Sequence, residues 1–230
     1  MCFTPAVSLS IAIIEWILTT IILIFFKRTN FRMYFAWIIY VLGFYQFTEF
    51  MLCTSNNAFL WAKLGFITYT LLPALVLHSV LRISGKNMKV FGIYLIPFAF
   101  SLLAIINSNF ITGAKCTAVF VQVRLALIEN PGLLQSSVSW IYMAYYFGFI
   151  VLALAFILKD YLHQKNKIKR KIRIIAFIGT IMMLVPTLLL MVVLPHFNAG
   201  FPSVLCGFAL FFAIATFIIA YLETKLKKIN

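Results

Sequence analysis

Three charged residues lie inside long apolar stretches of the sequence. Glu15 falls in the middle of the first stretch, Glu49 near the end of the second and Lys63 near the start of the third. A charged group at the centre of a bilayer costs roughly 2.5 kcal/mol or more unless it meets a partner or water. If the second and third stretches are antiparallel helices, Glu49 and Lys63 both lie roughly 6 Å below the membrane boundary. We predict that they form an ion pair, which either clamps two helices together or forms the floor or wall of an outward-facing polar pocket.

Hydrogen-bonding aromatic residues gather near the same depth. Together with Glu49 and Lys63, the residues that we predict to line a ligand pocket are Tyr45, Gln46, Tyr69, Trp140, Tyr145, Tyr146 and His196, with Tyr142 and Ser203 nearby. A pocket lined by such side chains suits a small amphipathic or aromatic ligand. An aromatic belt at the membrane interface explains some of these residues. For any single tyrosine, packing between helices is the commoner role.

The carboxyl of Glu15 lies near the midplane of its stretch, beside Trp16. A neutral carboxyl there bonds a neighbouring helix, whereas a titrating one belongs to a proton or cation path. We find no Gly-x-Ser-x-Gly or His-Glu-x-x-His motif and no metal-ligand pair at recognised spacing. We therefore expect no catalytic residues, no metal site and no cofactor.

These residues belong to a chain that is mostly apolar. Of its 230 residues, 64% are hydrophobic and 10% are charged, which is more apolar surface than a soluble domain of this size can bury. The apolar stretches match the roughly 20 residues that a helix needs to cross a bilayer. We predict a single integral membrane domain over residues 1–230, an all-α bundle of seven helices. The net charge of +14 does not indicate nucleic-acid binding, because the basic residues lie at helix ends.

Seven apolar stretches define the predicted spans. They cover residues 6–26, 33–53, 59–83, 90–108, 136–158, 172–195 and 202–223. The connections on one side of this arrangement carry 16 Lys and Arg residues, and those on the other side carry only Lys115 and Arg124. Because basic loops stay in the cytoplasm, we predict the N-terminus outside and the C-terminus inside. The basic run 165–173 suits anionic lipid or an acidic partner, but we prefer to interpret it as a topology anchor.

The longest predicted loop, residues 109–135, lies outside the membrane. Alternation over residues 119–126 predicts a short strand or an interfacial lid, and an amphipathic loop on the headgroups is equally compatible. All four cysteines are predicted in the outer half or outside, where disulfides persist. Cys53 with Cys116 is our first choice of pair, because it ties this loop across the top of the second helix. Four cysteines allow three complete pairings, among which the sequence does not select.

Residues around the third span resemble a known family. Trp61-Ala62-Lys63-Leu64, Phe66, Pro73-Ala74-Leu75, His78 and Arg82 through Gly85 are similar to the seven-helix N-terminal sensor region of some bacterial histidine kinases and cyclases. The resemblance implies a sensor of the plasma or inner membrane whose ligand is generally unknown. The chain ends at Asn230 with no kinase, phosphoacceptor or cyclase domain, so we expect a stand-alone sensor region. The opening Met1-Cys2-Phe3 is also similar to the start of some small uncharacterised multi-pass membrane proteins.

The sequence therefore predicts a receptor-like or sensor-like membrane protein. We expect it to bind an unknown small ligand in its outer half and to signal through a separate cytoplasmic or membrane partner. The alternative is a small transporter or channel that uses Glu15 and the Glu49/Lys63 pair. Against that alternative, the spans show neither an internal repeat nor paired broken helices.

Overall fold

A computed structural model of the protein describes residues 5–26, 30–85, 91–116, 121–126, 133–193, 201–202 and 205–229. These residues form seven long helices and a small sheet. The helices are α1 (Pro5–Phe25), α2 (Asn30–Thr54), α3 (Ala58–Ile83), α4 (Phe91–Ile106), α5 (Leu133–His163), α6 (Lys167–Val193) and α7 (Leu205–Ile229). The strands are β1 (Ile111–Cys116), β2 (Val121–Leu125) and β3 (Phe201–Pro202).

The helices account for the apolar stretches of the sequence. Each predicted span overlaps one helix, so the predicted helical architecture is confirmed. Among the described residues, five helices are long and apolar enough to cross a membrane, namely Pro5–Phe25, Arg32–Thr54, Ala58–Ile83, Ser137–His163 and Phe208–Leu226. A sixth apolar helix, Gly92–Ile106, is shorter.

Two helices begin at residues other than the start of the predicted span, for local reasons. The helix predicted from residue 172 begins at Lys167, because the side chain of Asn166 caps it by accepting bonds from the backbone N–H groups of Ile168 and Lys169, at 2.9 and 3.2 Å. The helix predicted from residue 202 begins at Leu205, because Phe201–Pro202 pair with β2 instead.

The third helix forms the centre of the bundle. It packs against α2, α4 and α5, and most of its apolar length is buried. Asn57 caps its start by accepting a bond from the backbone of Leu60 at 3.3 Å. Gly85, at φ +72°, follows its end in the left-handed conformation that commonly terminates helices. The other helices and the sheet are therefore arranged around α3.

An antiparallel sheet lies at one end of the bundle, in the order β1-β2-β3. The alternating residues of the long loop thus form a strand, β2, as one of the sequence interpretations predicts. Phe110, Ile111 and Leu125 are buried and pack on aromatic residues of the helices. We call this the sheet end of the bundle, because the sheet covers the helices there.

The core has a different composition at its two ends. Towards the sheet end it is rich in aromatic residues, including Phe66, Tyr69, Tyr142, Tyr145 and Tyr146. Towards the opposite end it consists mainly of aliphatic side chains from α2, α3, α5 and α7. The buried tyrosines of the described core are therefore concentrated at the sheet end.

Candidate functional site

The candidate site begins on the inward-facing side of α2. Tyr45, Gln46 and Glu49 lie within one helical turn of each other, so they share a face. Gln46 is fully buried and Glu49 is 5% exposed. Burial of an amide and a carboxyl together is costly unless other polar groups satisfy them. This face of α2 therefore places an amide and a carboxyl together in the interior of the bundle.

Hydroxyl groups from two helices meet the carboxyl of Glu49. The Tyr45 hydroxyl, one turn earlier on the same helix, interacts with it electrostatically. The Ser8 hydroxyl of α1 lies 3.5 Å from its Oε2 atom. Ser8 was not predicted as a site residue, although it lies seven residues before Glu15 on the same helix face. That spacing is the signal by which the sequence could have indicated it.

The predicted ion pair between Glu49 and Lys63 is wrong in this structure. The ammonium group of Lys63 instead donates to the backbone carbonyl of Asn107, at 2.8 Å, just beyond the end of α4. Gly65 is the residue of α3 that faces α2, and Lys63 lies two residues earlier, roughly 200° around the helix. Carbonyls at a helix C-terminus have no partner within the helix and carry partial negative charge, which attracts the ammonium group. Lys63 therefore joins α3 to the end of α4 and leaves the predicted pocket.

Tyrosine rings from three helices enclose a small cavity. Tyr69 of α3 stacks on Tyr146 of α5 with ring centroids 4.6 Å apart, and Tyr45 approaches Tyr69 at 6.1 Å. The cavity measures about 20 Å³ and is lined by Leu42, Tyr45, Tyr69, Leu72, Tyr146, Phe208 and Ala209. A space of this size holds roughly one water molecule. The cavity thus brings Tyr45, Tyr69 and Tyr146 together with apolar residues of α2, α3 and α7 that the sequence interpretation missed.

Two further tyrosines bind the backbone and side chain of one residue of α3. The Tyr145 hydroxyl donates to the carbonyl of Thr70 at 2.6 Å, and the Tyr142 hydroxyl lies 3.0 Å from the Thr70 hydroxyl. Thr70 immediately follows Tyr69, whose carbonyl lacks its usual helical partner because residue 73 is a proline. Tyr142 and Tyr145 therefore attach α5 to the proline-containing segment of α3, which is the structural role considered for single tyrosines.

The remaining predicted pocket residues have different positions. Trp140 is 73% exposed, on the outer surface of the bundle, so its assignment to the pocket is wrong. Tyr142 lies two residues later, on the opposite side of the helix, and is buried instead. His196 and Ser203 lie outside the described residues.

Glu15 lies deeper in the bundle on the buried face of α1. It is fully buried, and neither carboxylate oxygen has a hydrogen-bond partner among the described residues. The charge of Glu49 acts on it electrostatically. Gln46 is similar, because neither its amide nitrogen nor its amide oxygen has a partner in the described part of the chain. Unpaired polar groups of this kind cost about 1–3 kcal/mol each, so they are exceptional in a folded protein.

A disulfide joins the sheet to the helices that form the site. Cys53, near the end of α2, is bonded to Cys116 at the end of β1, which was the first choice among the pairs that the sequence leaves open. The bond holds β1 over the end of α2 that carries Glu49. Cys2 and the side chain of Cys206 are not among the described parts of the chain.

The model of one protein family, the N-terminal 7TM region of histidine kinase, matches residues 8–229. The chain belongs to this family. No curated protein and no solved structure matches it. The predicted resemblance is thereby confirmed, and the protein is a multi-pass protein of the inner membrane. The matched family describes the membrane sensor of the kinases rather than their catalytic domain.

In this 7TM sensor region, a second polar cluster lies at the end of α3 opposite the sheet. The Arg82 Nε donates to the Nε2 atom of His78 at 3.2 Å. Because arginine cannot accept a bond, Nε2 is the acceptor, and Nδ1 carries the proton that it donates to the Tyr94 hydroxyl at 2.9 Å. The ring of Tyr34 packs edge-on against His78 at 4.6 Å. These contacts join α3 to α2 and α4.

Arg173 joins three helices of the 7TM sensor region at the same end. Its Nη2 donates to the carbonyl of Ile83, at the end of α3, at 2.9 Å. Its Nε lies 3.3 Å from the carboxylate of Asp160, on α5. Since Arg173 itself belongs to α6, a displacement of α3 along its axis must alter contacts to both α5 and α6.

Proposed function

We propose that this 7TM sensor region binds a small ligand at the polar site near its sheet end and transmits the binding through α3 to a separate signalling partner. The observation that carries the proposal is the carboxyl of Glu49, which is 5% exposed, lies 3.5 Å from the Ser8 hydroxyl and interacts with Tyr45, one of the tyrosines that line the cavity. Buried ionisable groups within a membrane domain mark functional sites more often than structural ones.

The proposed orientation places the sheet end outside the cell and the C-terminus in the cytoplasm. The support is the distribution of Lys and Arg residues, 16 on one side and two on the other. In this orientation the disulfide lies in the oxidising compartment, where such bonds persist. The ligand would then come from outside, and the ends of α3 and α7 that carry Arg82 and Lys225 would face the cytoplasm.

The small size of the cavity supplies a physical means of signalling. Because it holds roughly one water molecule, any larger ligand must displace the side chains or helices around it. Packed interfaces respond to such displacement by moving between discrete arrangements rather than by deforming smoothly. Tyr69 and Leu72 place α3 in the wall of the cavity, and the far end of α3 bonds to Arg173. A shift of α3 would therefore reach α5 and α6 at the cytoplasmic side.

A comparison of co-purifying small molecules tests this proposal. The wild-type protein and its Glu49→Gln and Tyr45→Phe variants are incubated with spent culture medium, purified in detergent and compared by mass spectrometry. Lys63→Met is the matched control. It removes a charge at a similar depth, but the Lys63 side chain donates to the carbonyl of Asn107 rather than to the site. We expect at least one small molecule to be enriched on the wild type and the control and depleted on both site variants. Identical profiles for all four proteins would overturn the proposed binding function.

A further inference from the structure

The two least satisfied polar side chains of the described interior are Glu15 and Gln46. Both are fully buried. Neither oxygen of the Glu15 carboxyl and neither polar atom of the Gln46 amide has a hydrogen-bond partner within the described residues. Together they present three oxygen acceptors to the interior of the bundle, along with one amide donor.

The packing of α1 on α2 brings these two side chains to neighbouring depths. Ser8 of α1 meets Glu49 of α2, and the carbonyl of Ala12 lies next to Gly43, where an added Cβ would be 3.3 Å from it. Gln46 lies between Glu49 and Gly43, so it is within roughly one helical turn, about 5.4 Å, of Glu15 along the bundle axis. Both residues belong to the buried faces of their helices, at neighbouring depths of the α1–α2 packing.

Among the described residues, no lysine or arginine side chain bonds the Glu15 carboxyl. Residues 1–26 and 174–224 contain neither lysine nor arginine. These ranges include α1, to which Glu15 belongs, and nearly all of α7, which packs against α1. Lys63 donates to the carbonyl of Asn107. The guanidinium of Arg32 donates to the carbonyls of Leu23 and Phe26, at the other end of α1. The electrostatic potential at Glu15 is made more negative by Glu49.

We infer that the ligand of the proposed site carries a protonated primary amine, which donates its N–H groups to the Glu15 carboxylate and the Gln46 amide oxygen. This inference rests on the proposed function and specifies its ligand class. An ammonium group supplies only donors, which is what a carboxylate and an amide oxygen require. The carboxyl of Glu49 raises the affinity for positive charge without touching the amine.

Thermal unfolding of the purified protein tests the inference with defined probes. Propylammonium chloride is compared with propanol, which has the same chain without the charge, with sodium propionate and with sodium chloride at equal ionic strength. We expect propylammonium alone to raise the Tm of the wild type. Glu15→Gln should weaken its binding about tenfold or more, because the interaction with a buried opposite charge is lost. Gln46→Leu should weaken it by a smaller factor, and Lys63→Met should leave it unchanged. The affinity should rise with pH, because the carboxyl must release its proton to bind the ammonium group.

Two results would overturn the inference. One is the absence of a propylammonium-specific Tm shift in the wild type, and the other is an equal shift in Glu15→Gln and wild type. The outcome is separable from that of the proposed function. A neutral or anionic molecule that co-purifies in a Glu49-dependent manner would support the binding function and refute the amine. Glu15-dependent propylammonium binding combined with identical co-purification profiles would support the amine site and refute the binding function.

Discussion

The closest approach of α2 and α3 provides a sharp test of the packing that positions the site. Gly65 of α3 faces Thr48 of α2, and a Cβ added to Gly65 would lie 2.9 Å from the Thr48 hydroxyl oxygen. Thr48 is 1% exposed, and its hydroxyl donates to the carbonyl of Tyr45 at 2.7 Å. The substitution Gly65→Ala must therefore displace a buried side chain that is bonded to the backbone of a site residue.

The expected magnitude follows from three effects. Alanine in place of glycine favours the helix by about 1 kcal/mol. Overpacking a close contact costs about 1–3 kcal/mol, and loss of the Thr48 hydrogen bond costs about 1 kcal/mol. The net expectation for Gly65→Ala is a loss of about 2 kcal/mol in the free energy of unfolding. Gly148 of α5 is the matched control, because an added Cβ there meets no atom within 4 Å. Gly148→Ala should leave stability unchanged or raise it by up to about 1 kcal/mol.

Thermal unfolding in detergent measures this difference. For a chain of this length, each kcal/mol corresponds to about 2–4 °C in Tm, so the two variants should differ by about 4–12 °C. The double variant Thr48→Ala/Gly65→Ala should recover most of the loss, because alanine at position 48 has no hydroxyl for the new methyl group to meet. The two substitutions should thus be strongly non-additive. Equal Tm values for Gly65→Ala and Gly148→Ala, or additive effects in the double variant, would refute the described contact between α2 and α3.

Three other predictions concern separate parts of the fold. Cys116→Ser should lower the free energy of unfolding by up to about 4 kcal/mol, since the bond to Cys53 closes a long loop, and dithiothreitol should lower the Tm of the wild type but not of the variant. Tyr145→Phe should lower the free energy of unfolding by about 1 kcal/mol, because the bond to α3 is lost, whereas Tyr221→Phe, at an exposed tyrosine, should have no effect. Equal Tm values for these two variants would contradict the bond. In the proposed orientation, a membrane-impermeant amine reagent should label Lys115 but not Lys167 in intact cells, and labelling of Lys167 from outside would invert the proposed topology.

Features that depend on local sequence were predictable without coordinates. The length of an apolar stretch determines whether a helix can cross a bilayer, so each predicted span overlaps a helix. The alternation in the long loop made a short strand one of the predicted alternatives, because side chains alternate between the faces of a strand, and β2 formed there. The pair Cys53 and Cys116 was the first choice from the sequence, because it links the end of one predicted span to the loop that follows two spans later, but only the structure selected it.

The tertiary structure decided which neighbour each of these side chains faces. The sequence determines the depth of Glu49 and Lys63 along their helices, but the rotation of α3 against α2 directs Lys63 towards α4. The same reason explains Trp140, which lies at the depth of the site but on the exposed side of its helix. Depth grows by a constant rise for each residue and is therefore readable from spacing. The rotation of a helix and the partner that each side chain meets depend on how the surfaces of several helices fit together. Residues far apart in the chain determine this fit.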